Sequence, residues 1–183
     1  RRSYSICSGE GEDIAVAIKR INNGKISNWA NDDLKAGDKV LVAPPMGNFR
    51  LDNSLKNVVA FAAGSGITPI ISMAKSLRKS GGSLKLFYGN RTEDSIMFAN
   101  EFAGLDNVSV VNYLTGETKD GFQSGRLDKE AISAIIKSDL NILKAEGFFL
   151  CGPETMIKAG IDVLSLFGVA KTKIHYELYT TPV

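Results

Sequence analysis

The sequence predicts an α/β fold: a doubly wound sheet of five parallel strands over residues 54–183, preceded by a β-rich segment over residues 1–53. Three observations predict it. The first fifty residues alternate in the two-residue period of half-buried strands, most clearly at Ile14, Val16 and Ile18. From residue 58 the pattern changes to continuous apolar runs of strand length, as in strands buried on both faces. Each run is followed by a segment with helical start and stop signals, and such alternation implies right-handed crossovers in a parallel sheet covered on both sides.

Asn22-Asn23-Gly24 is a turn signal, residues 39–43 are a short apolar run closed by Pro44-Pro45 and Gly47, and the polar residues 50–57 read as a linker. Residues 58–62 form the first buried strand. Thr68 and Pro69 open the helix after it, Pro being favoured at a first helical position, and Gly81-Gly82 stops it. Residues 84–88 are the next strand, followed by a helix through Ile96, Met97, Phe98 and Phe102 that Thr92 can cap. Residues 108–113 are the third strand. Asp128 can cap a helix carrying Ile132, Ile135 and Ile136, and residues 148–151 are the fourth strand. Pro153 opens a last helix ended by Gly168, and residues 173–179 close the sheet.

Composition narrows the function classes. At 183 residues and 44% hydrophobic the chain can bury a real core. Its 22 basic and 20 acidic residues are scattered without runs or basic-aromatic clusters, so nucleic acid is not an expected partner. No apolar stretch approaches the roughly 20 residues of a membrane span, and no signal peptide is recognisable. Cys7 and Cys151 lie far apart without C-x-x-C or Cys/His spacing, so no metal site or disulfide framework is expected, and the setting reads as reducing and cytoplasmic. The chain opens on Arg1 without an initiator Met, directly inside what reads as a strand, which suggests a piece of a longer protein.

Ligands of doubly wound sheets bind outside the carboxyl ends of the strands, where strand order reverses. After the first strand comes Gly64-Ser65-Gly66-Ile67-Thr68-Pro69, where glycines let a diphosphate approach N–H groups at a helix N-terminus; tight packing alone would also explain it. After the second strand sit Gly89-Asn90-Arg91, a cation where an NAD-selective fold often carries an acid, which leans toward NADP; a solvated Arg beside Glu93 and Asp94 is the plain alternative. The fourth strand ends in Cys151-Gly152-Pro153, a thiol at a helix start, where its pKa would tend to fall unless it is simply packed. His175, the single histidine, lacks a paired carboxylate pattern and reads as structural. In the first segment, Arg2 and Tyr4 share one face of a strand with Ser5 next along, a cation suited to phosphate and an aromatic plate suited to a planar ring. Gly24-Lys25-Ile26-Ser27 makes a second anion-binding turn in which Ser27 can cap a helix.

With these motifs in this order the chain resembles the ferredoxin-NADP reductase superfamily from end to end. The likeness is strongest to the phenylacetyl-CoA epoxygenase reductase subunits and their relatives, which join this module to a C-terminal plant-type 2Fe-2S ferredoxin domain. The resemblance implies that residues 1–53 are the C-terminal part of an antiparallel FAD-binding β-barrel and residues 54–183 an NAD(P)-binding domain. Arg2-Ser3-Tyr4-Ser5 matches the R-x-Y-S flavin motif, implying Arg2 on the FAD phosphate, Tyr4 against the rings and Ser5 near flavin N5. Gly24, Lys25, Ile26 and Ser27 match the pyrophosphate turn, and Pro45-Met46-Gly47-Asn48-Phe49 the P-x-G-x-F end of the barrel. Gly64, Gly66, Thr68 and Pro69 belong to the G-S-G-I-T-P nucleotide turn, and Cys151, Gly152 and Pro153 to the C-G-P signature whose Cys faces the nicotinamide. Glu177 and Tyr179 are similar to the acid and aromatic that line the flavin. Ser5, Cys151 and Glu177 are thereby the implied catalytic residues, and Asn90 and Arg91 stay with the nucleotide.

The resemblance further implies transfer from NADPH or NADH to FAD and onward, through a 2Fe-2S cluster absent from this chain, to a multicomponent oxygenase of phenylacetate or other aromatic degradation. A stand-alone ferredoxin or flavodoxin reductase and a non-catalytic nucleotide-binding subunit are the alternative readings. Where many relatives carry T/S-R-E to hold a 2′-phosphate, this sequence has Thr115-Gly116-Glu117, so both nucleotides stay open. No ferredoxin cysteine pattern occurs, and Thr181-Pro182-Val183 stand where a linker to that domain would begin.

Overall fold

The structure, a computed structural model, describes residues 2–179. Arg1, read as the start of a strand, and Thr181-Pro182-Val183, read as the start of a linker, lie outside the described residues. Six strands form one sheet: β1 (Asn57–Ala63), β2 (Ser83–Asn90), β3 (Val108–Leu114), β4 (Gln123–Ser124), β5 (Gly147–Gly152) and β6 (Ile174–Leu178). Their spatial order is β4-β3-β2-β1-β5-β6, and every pairing is parallel. Five of these strands are the expected ones. The sixth, β4, is two residues long and too short to show a period in sequence.

β1 is buried almost end to end because it sits at the centre with helices on both sides. Its side chains alternate between two cores. Val58, Ala60 and Ala62 join Ile67, Ile70, Ile71 and Leu77 of α2 (Ile67–Lys79), while Val59 and Phe61 join the residues of α4 (Lys129–Ser138) and α5 (Glu154–Leu166). The start and stop chemistry works as expected for α4, where the Asp128 carboxylate accepts from the Ala131 N–H at 2.9 Å. Pro153 is the N-cap of α5, and Gly168 follows its end at φ +82°. The helix expected after β2 is cut short. Thr92 and Ser95 close a reciprocal capping box around a single 3-10 turn, Phe98 takes φ +62°, and only α3 (Ala99–Ala103) remains helical. Breaking the helix lets Ile96, Met97 and Phe98 all pack against the α2-side core, which one helical face would not allow.

The first 53 residues depart most from expectation. Among the described residues they hold one antiparallel bridge, Ile6 to Val16, and a helix, α1 (Lys25–Asp32), but no antiparallel barrel. The two-residue period is present in the sequence, yet a strand is held by its neighbour's ladder, and Ile14, Leu41 and Val42 face no partner strand and stand exposed. The segment instead docks by its ends. Cys7, Ala17, Phe49 and Leu51 pack on the α2-side core, Ser72 Oγ donates to the Ser8 carbonyl at 2.6 Å, and Lys19 Nζ to the Ser95 carbonyl at 3.0 Å.

Phe149 of β5 anchors this docking. It is fully buried, stacks on His175 at 4.8 Å and meets Phe49 edge-on at 5.7 Å. This is the structural role expected for His175. Phe149→Ala is expected to cost about 3–5 kcal/mol in urea unfolding. Phe49→Ala is expected to cost less and to speed proteolysis of the first segment selectively.

Candidate functional site

Because β1 leads through α2 to β2 on one side while β5 lies on its other side, strand order reverses between β1 and β5. The turns after these two strands therefore lie side by side at the position where doubly wound sheets form their ligand crevice. After β1 the chain makes a 3-10 turn over Gly64–Gly66 and enters α2 at Ile67, one residue ahead of the expected Thr68-Pro69 start. A methyl group on Gly66 would lie 2.1 Å from the Cys151 carbonyl oxygen, so only glycine lets the two turns approach this closely. Gly64, at φ +53°, has open space where a side chain would stand. Its carbonyl accepts from the Tyr88 hydroxyl at 2.9 Å. Tyr88 escapes sequence reasoning; its one signal is a polar tip late in an apolar strand.

Three distant segments meet at this crevice. Ser5 Oγ lies 3.2 Å from Glu177 Oε2 and 2.9 Å from the Tyr179 hydroxyl, which in turn lies 3.0 Å from Thr68 Oγ1. Thr68 Oγ1 also lies 3.0 Å from the Ser65 carbonyl. The Cys151 thiol faces the Tyr179 hydroxyl. Ser5, Thr68, Cys151, Glu177 and Tyr179, scattered almost from one end of the chain to the other, thus form one cluster. Gly64, Gly66, Pro69, Gly152 and Pro153 supply the backbone around it.

The expectation of an acidified thiol is corrected. Cys151 is fully buried, and burial pushes its pKa from 9.0 up to about 12, against a smaller opposing contribution from the Tyr179 O–H. The helix start after it does not offset the loss of water. Tyr179 is shifted upward for the same reason. The residue as a whole is 42% exposed, but its hydroxyl lies within hydrogen-bond distance of Ser5 and Thr68, and that end sets its titration. Tyr88, buried beside Gly64, rises to about 12 through desolvation.

The remaining candidates are arranged around this cluster. Asn90 is buried at the carboxyl end of β2 without a well-formed hydrogen bond; its amide lies beside the Tyr88 hydroxyl, which donates to the Gly64 carbonyl and accepts from the Met97 N–H at 3.4 Å. Arg91 follows it, exposed. Arg2 and Tyr4 lie exposed on the approach to Ser5. Gly24, Lys25, Ile26 and Ser27 open α1, whose hydrogen bonds run to residues 18–34 and not to the cluster. The expectation that Ser27 caps α1 is corrected. Gly24 is the N-cap, and Ser27 Oγ accepts from the Ile21 N–H at 3.2 Å and donates to the Gly24 carbonyl at 3.3 Å, its position inside the first turn directing it back onto the preceding chain.

These shifts fix an alkaline response. Raised folded-state pKa values for Cys151, Tyr88 and Tyr179 mean that the unfolded chain loses these protons first. Their contribution to stability is complete below pH 9 and is lost as pH climbs toward 12. Urea midpoints measured from about pH 8 to 11 should fall, and Cys151→Ala should flatten the first part of the fall. Neither buried thiol should react quickly with a thiol reagent at about pH 8 in the native state, whereas both should react in urea.

Residues 61–161 match the family described as the oxidoreductase NAD-binding domain. The whole chain is 33% identical to a subunit of the 1,2-phenylacetyl-CoA epoxidase of Escherichia coli, and covers 54% of that protein. Over 97% of its length it is 32% identical to the ferredoxin reductase component of 3-ketosteroid-9-alpha-monooxygenase of Mycobacterium tuberculosis, covering 49% of it. The chain thus spans about half the length of these curated relatives. Among solved structures, the flavohem-like FAD/NAD binding domain of nitric oxide dioxygenase from Vibrio cholerae superposes with a TM-score of 0.83 at 25% identity, over 96% of this chain and 76% of that one. A ferredoxin-NADP+ reductase from Plasmodium falciparum gives 0.77 at 25% identity over the same shares. A parallel sheet with a glycine turn at its switch point, a family match across more than half of the chain and this superposition agree: the chain belongs to the oxidoreductase NAD-binding domain family, within the ferredoxin-NADP reductase superfamily.

Proposed function

We infer that the chain is the nucleotide-binding part, joined to a portion of the flavin-binding part, of a reductase that feeds electrons from NADPH or NADH through FAD and a 2Fe-2S centre to an oxygenase. Residues 1–53 are assigned to the flavin side and residues 54–183 to the nucleotide side. The observation that carries the reading is the convergence of Ser5 from the first part with Thr68, Cys151, Glu177 and Tyr179 from the second. A site formed between two ligand-binding parts needs this meeting. The names of the epoxidase and of the ketosteroid monooxygenase component support an oxygenase partner and aromatic or steroid degradation as its setting. The cytoplasm is the assigned compartment; no helix among the described residues is long and apolar enough to cross a membrane.

The residues suit both groups. The buried Asn90 amide and the open face of Gly64, beside the start of α2, offer polar partners and room at the nucleotide end. Exposed Arg2 and Tyr4 offer a cation and an aromatic plate to a flavin phosphate and ring, and the N-terminus of α1 offers N–H groups to its pyrophosphate. When bound, FAD and the nicotinamide supply hydride and single-electron chemistry.

The chain's own share is alignment, exclusion of water and proton handling. Buried Cys151 and the Gly66 contact close the floor of the crevice. Three hydroxyls, Ser5, Tyr179 and Thr68, serve four contacts running from Glu177 to the Ser65 carbonyl. Ser5 Oγ donates to Glu177 and Thr68 Oγ1 to the Ser65 carbonyl, and the Tyr179 hydroxyl between Ser5 and Thr68 can donate to either, so the contacts form one continuous hydrogen-bond chain. Ser5 Oγ is the point at which this chain hands a proton toward the reacting atoms or takes one back.

The decisive experiment is an absorbance spectrum of the full-length parent protein, followed by separate anaerobic titrations with NADPH and NADH. Flavin and 2Fe-2S bands bleached by a nucleotide are expected; a colourless protein that added FAD does not restore overturns the reading. In stopped-flow flavin reduction, Ser5→Ala and Cys151→Ala are expected to slow the reaction about 10- to 1,000-fold with little change in nucleotide Kd. Wild-type rates would remove both residues from the chemistry.

A further inference from the structure

Gly64, the first residue of the turn after β1, stands at φ +53° with nothing within 4 Å of the place a side chain would take. A glycine in open space has no steric reason to keep one peptide orientation, so the turn is fixed by whatever holds its carbonyl. Two donors hold it: the Ile67 N–H, which closes the 3-10 turn, and the Tyr88 hydroxyl at 2.9 Å. No peptide among the described residues is cis, and in a trans peptide the N–H points opposite to the C=O. Tyr88 is 1% exposed and belongs to the α2-side core, so a Gly64 carbonyl drawn toward it turns the Ser65 N–H away from that core.

The reach of Tyr88 suits this task. It sits on β2 level with Ala62 of β1, so its hydroxyl has to extend two residues farther along, about 7 Å, to meet Gly64. A Ser or Thr hydroxyl at this position would stop short; the phenol ring is the spacer, and strand side chains lean along the strand. The same hydroxyl accepts from the Met97 N–H at 3.4 Å. Met97 lies two residues past Ser95, whose carbonyl receives Lys19 Nζ at 3.0 Å, so the loop that braces Tyr88 is itself tied down. With Met97 on its acceptor side, the hydroxyl has its one proton to give to Gly64. Burial keeps that proton in place, the phenol pKa being pushed up to about 12.

We propose that Tyr88 is a positioning residue for the nucleotide: its hydroxyl sets the Gly64–Ser65 peptide so that the Ser65 N–H is presented to the diphosphate. This rests on the nucleotide reading of the crevice given above. Tyr88 acts through the turn and not on the ligand, so the hydroxyl governs how tightly a diphosphate is held and has no bearing on groups of the nucleotide that lie away from it.

Tyr88→Phe keeps the spacer and removes the hydroxyl, and titrating the full-length parent protein with ADP-ribose and with adenosine, which lacks the diphosphate, tests the role without any turnover. The variant should bind ADP-ribose about five- to tenfold more weakly and adenosine weaker by less than about twofold. In the wild-type protein ADP-ribose should shift the Ser65 amide resonance, a reading that needs no variant to fold. An unchanged ADP-ribose affinity in Tyr88→Phe, equal losses for ADP-ribose and adenosine, or a Ser65 amide that ADP-ribose leaves unmoved overturns the role of Tyr88 while leaving the nucleotide site standing. A wild-type protein that binds no ADP-ribose overturns the nucleotide reading and this inference with it.

Discussion

The close contact between the Gly66 turn and the end of β5 is the constraint on which the rest of the site depends. Parallel registry brings Ala62 level with Cys151, and the chains must then leave the sheet in opposite directions to enter α2 and α5. With a side chain at residue 66 the two turns would be forced apart against backbone atoms that cannot yield. Drawn together, they put Thr68 and the Cys151 thiol on the same side of one narrow crevice. The Tyr179 hydroxyl, reaching in from just beyond β6, then meets Ser5 and Thr68 at once, near Cys151.

A second consequence is electrical. The floor of the crevice is dry enough that Cys151, Tyr88 and Tyr179 all hold their protons far above neutrality, while the acid of the cluster, Glu177, sits where Ser5 can reach it. Buried neutral donors and one carboxylate make a site that orders protons without placing a fixed positive charge among them. Cations are kept for its edges: Arg2 toward the first part, and Arg91 past β2. That separation suits a long ligand with anionic ends and an uncharged reacting centre.

The first segment shows how far a local pattern can go without a partner. Its alternation at Ile14, Val16 and Ile18 is real, yet only the Ile6 to Val16 bridge forms among the described residues. What holds the segment in place is aromatic and aliphatic packing of Phe49, Leu51 and Cys7 onto the sheet domain, together with side chains such as Ser72 and Lys19 bonded to carbonyls across the junction. Docking of this kind fixes Ser5 beside Glu177 and Tyr179 without, among the described residues, any strand of the first segment joining the six-stranded sheet.

What the sequence determined by itself was local: five strands, the Asp128 cap, the Pro153 start and Gly168 stop, and the Gly64–Pro69 and Cys151–Pro153 turns, while the resemblance singled out Ser5, Glu177 and Tyr179. Apolar period, capping chemistry and glycine turns act over a few residues, so they can be read from neighbours in the chain. Only the tertiary structure decided the matters that depend on distance through space. The absence of a barrel among the described residues, the two-residue β4, the broken helix at Phe98, Ser27 turned away from capping, the rise rather than fall of the Cys151 pKa, and the meeting of Tyr88 with Gly64 each turn on which group lies across from which. Burial and close approach are properties of the folded ensemble of neighbours, and no window along the chain contains them.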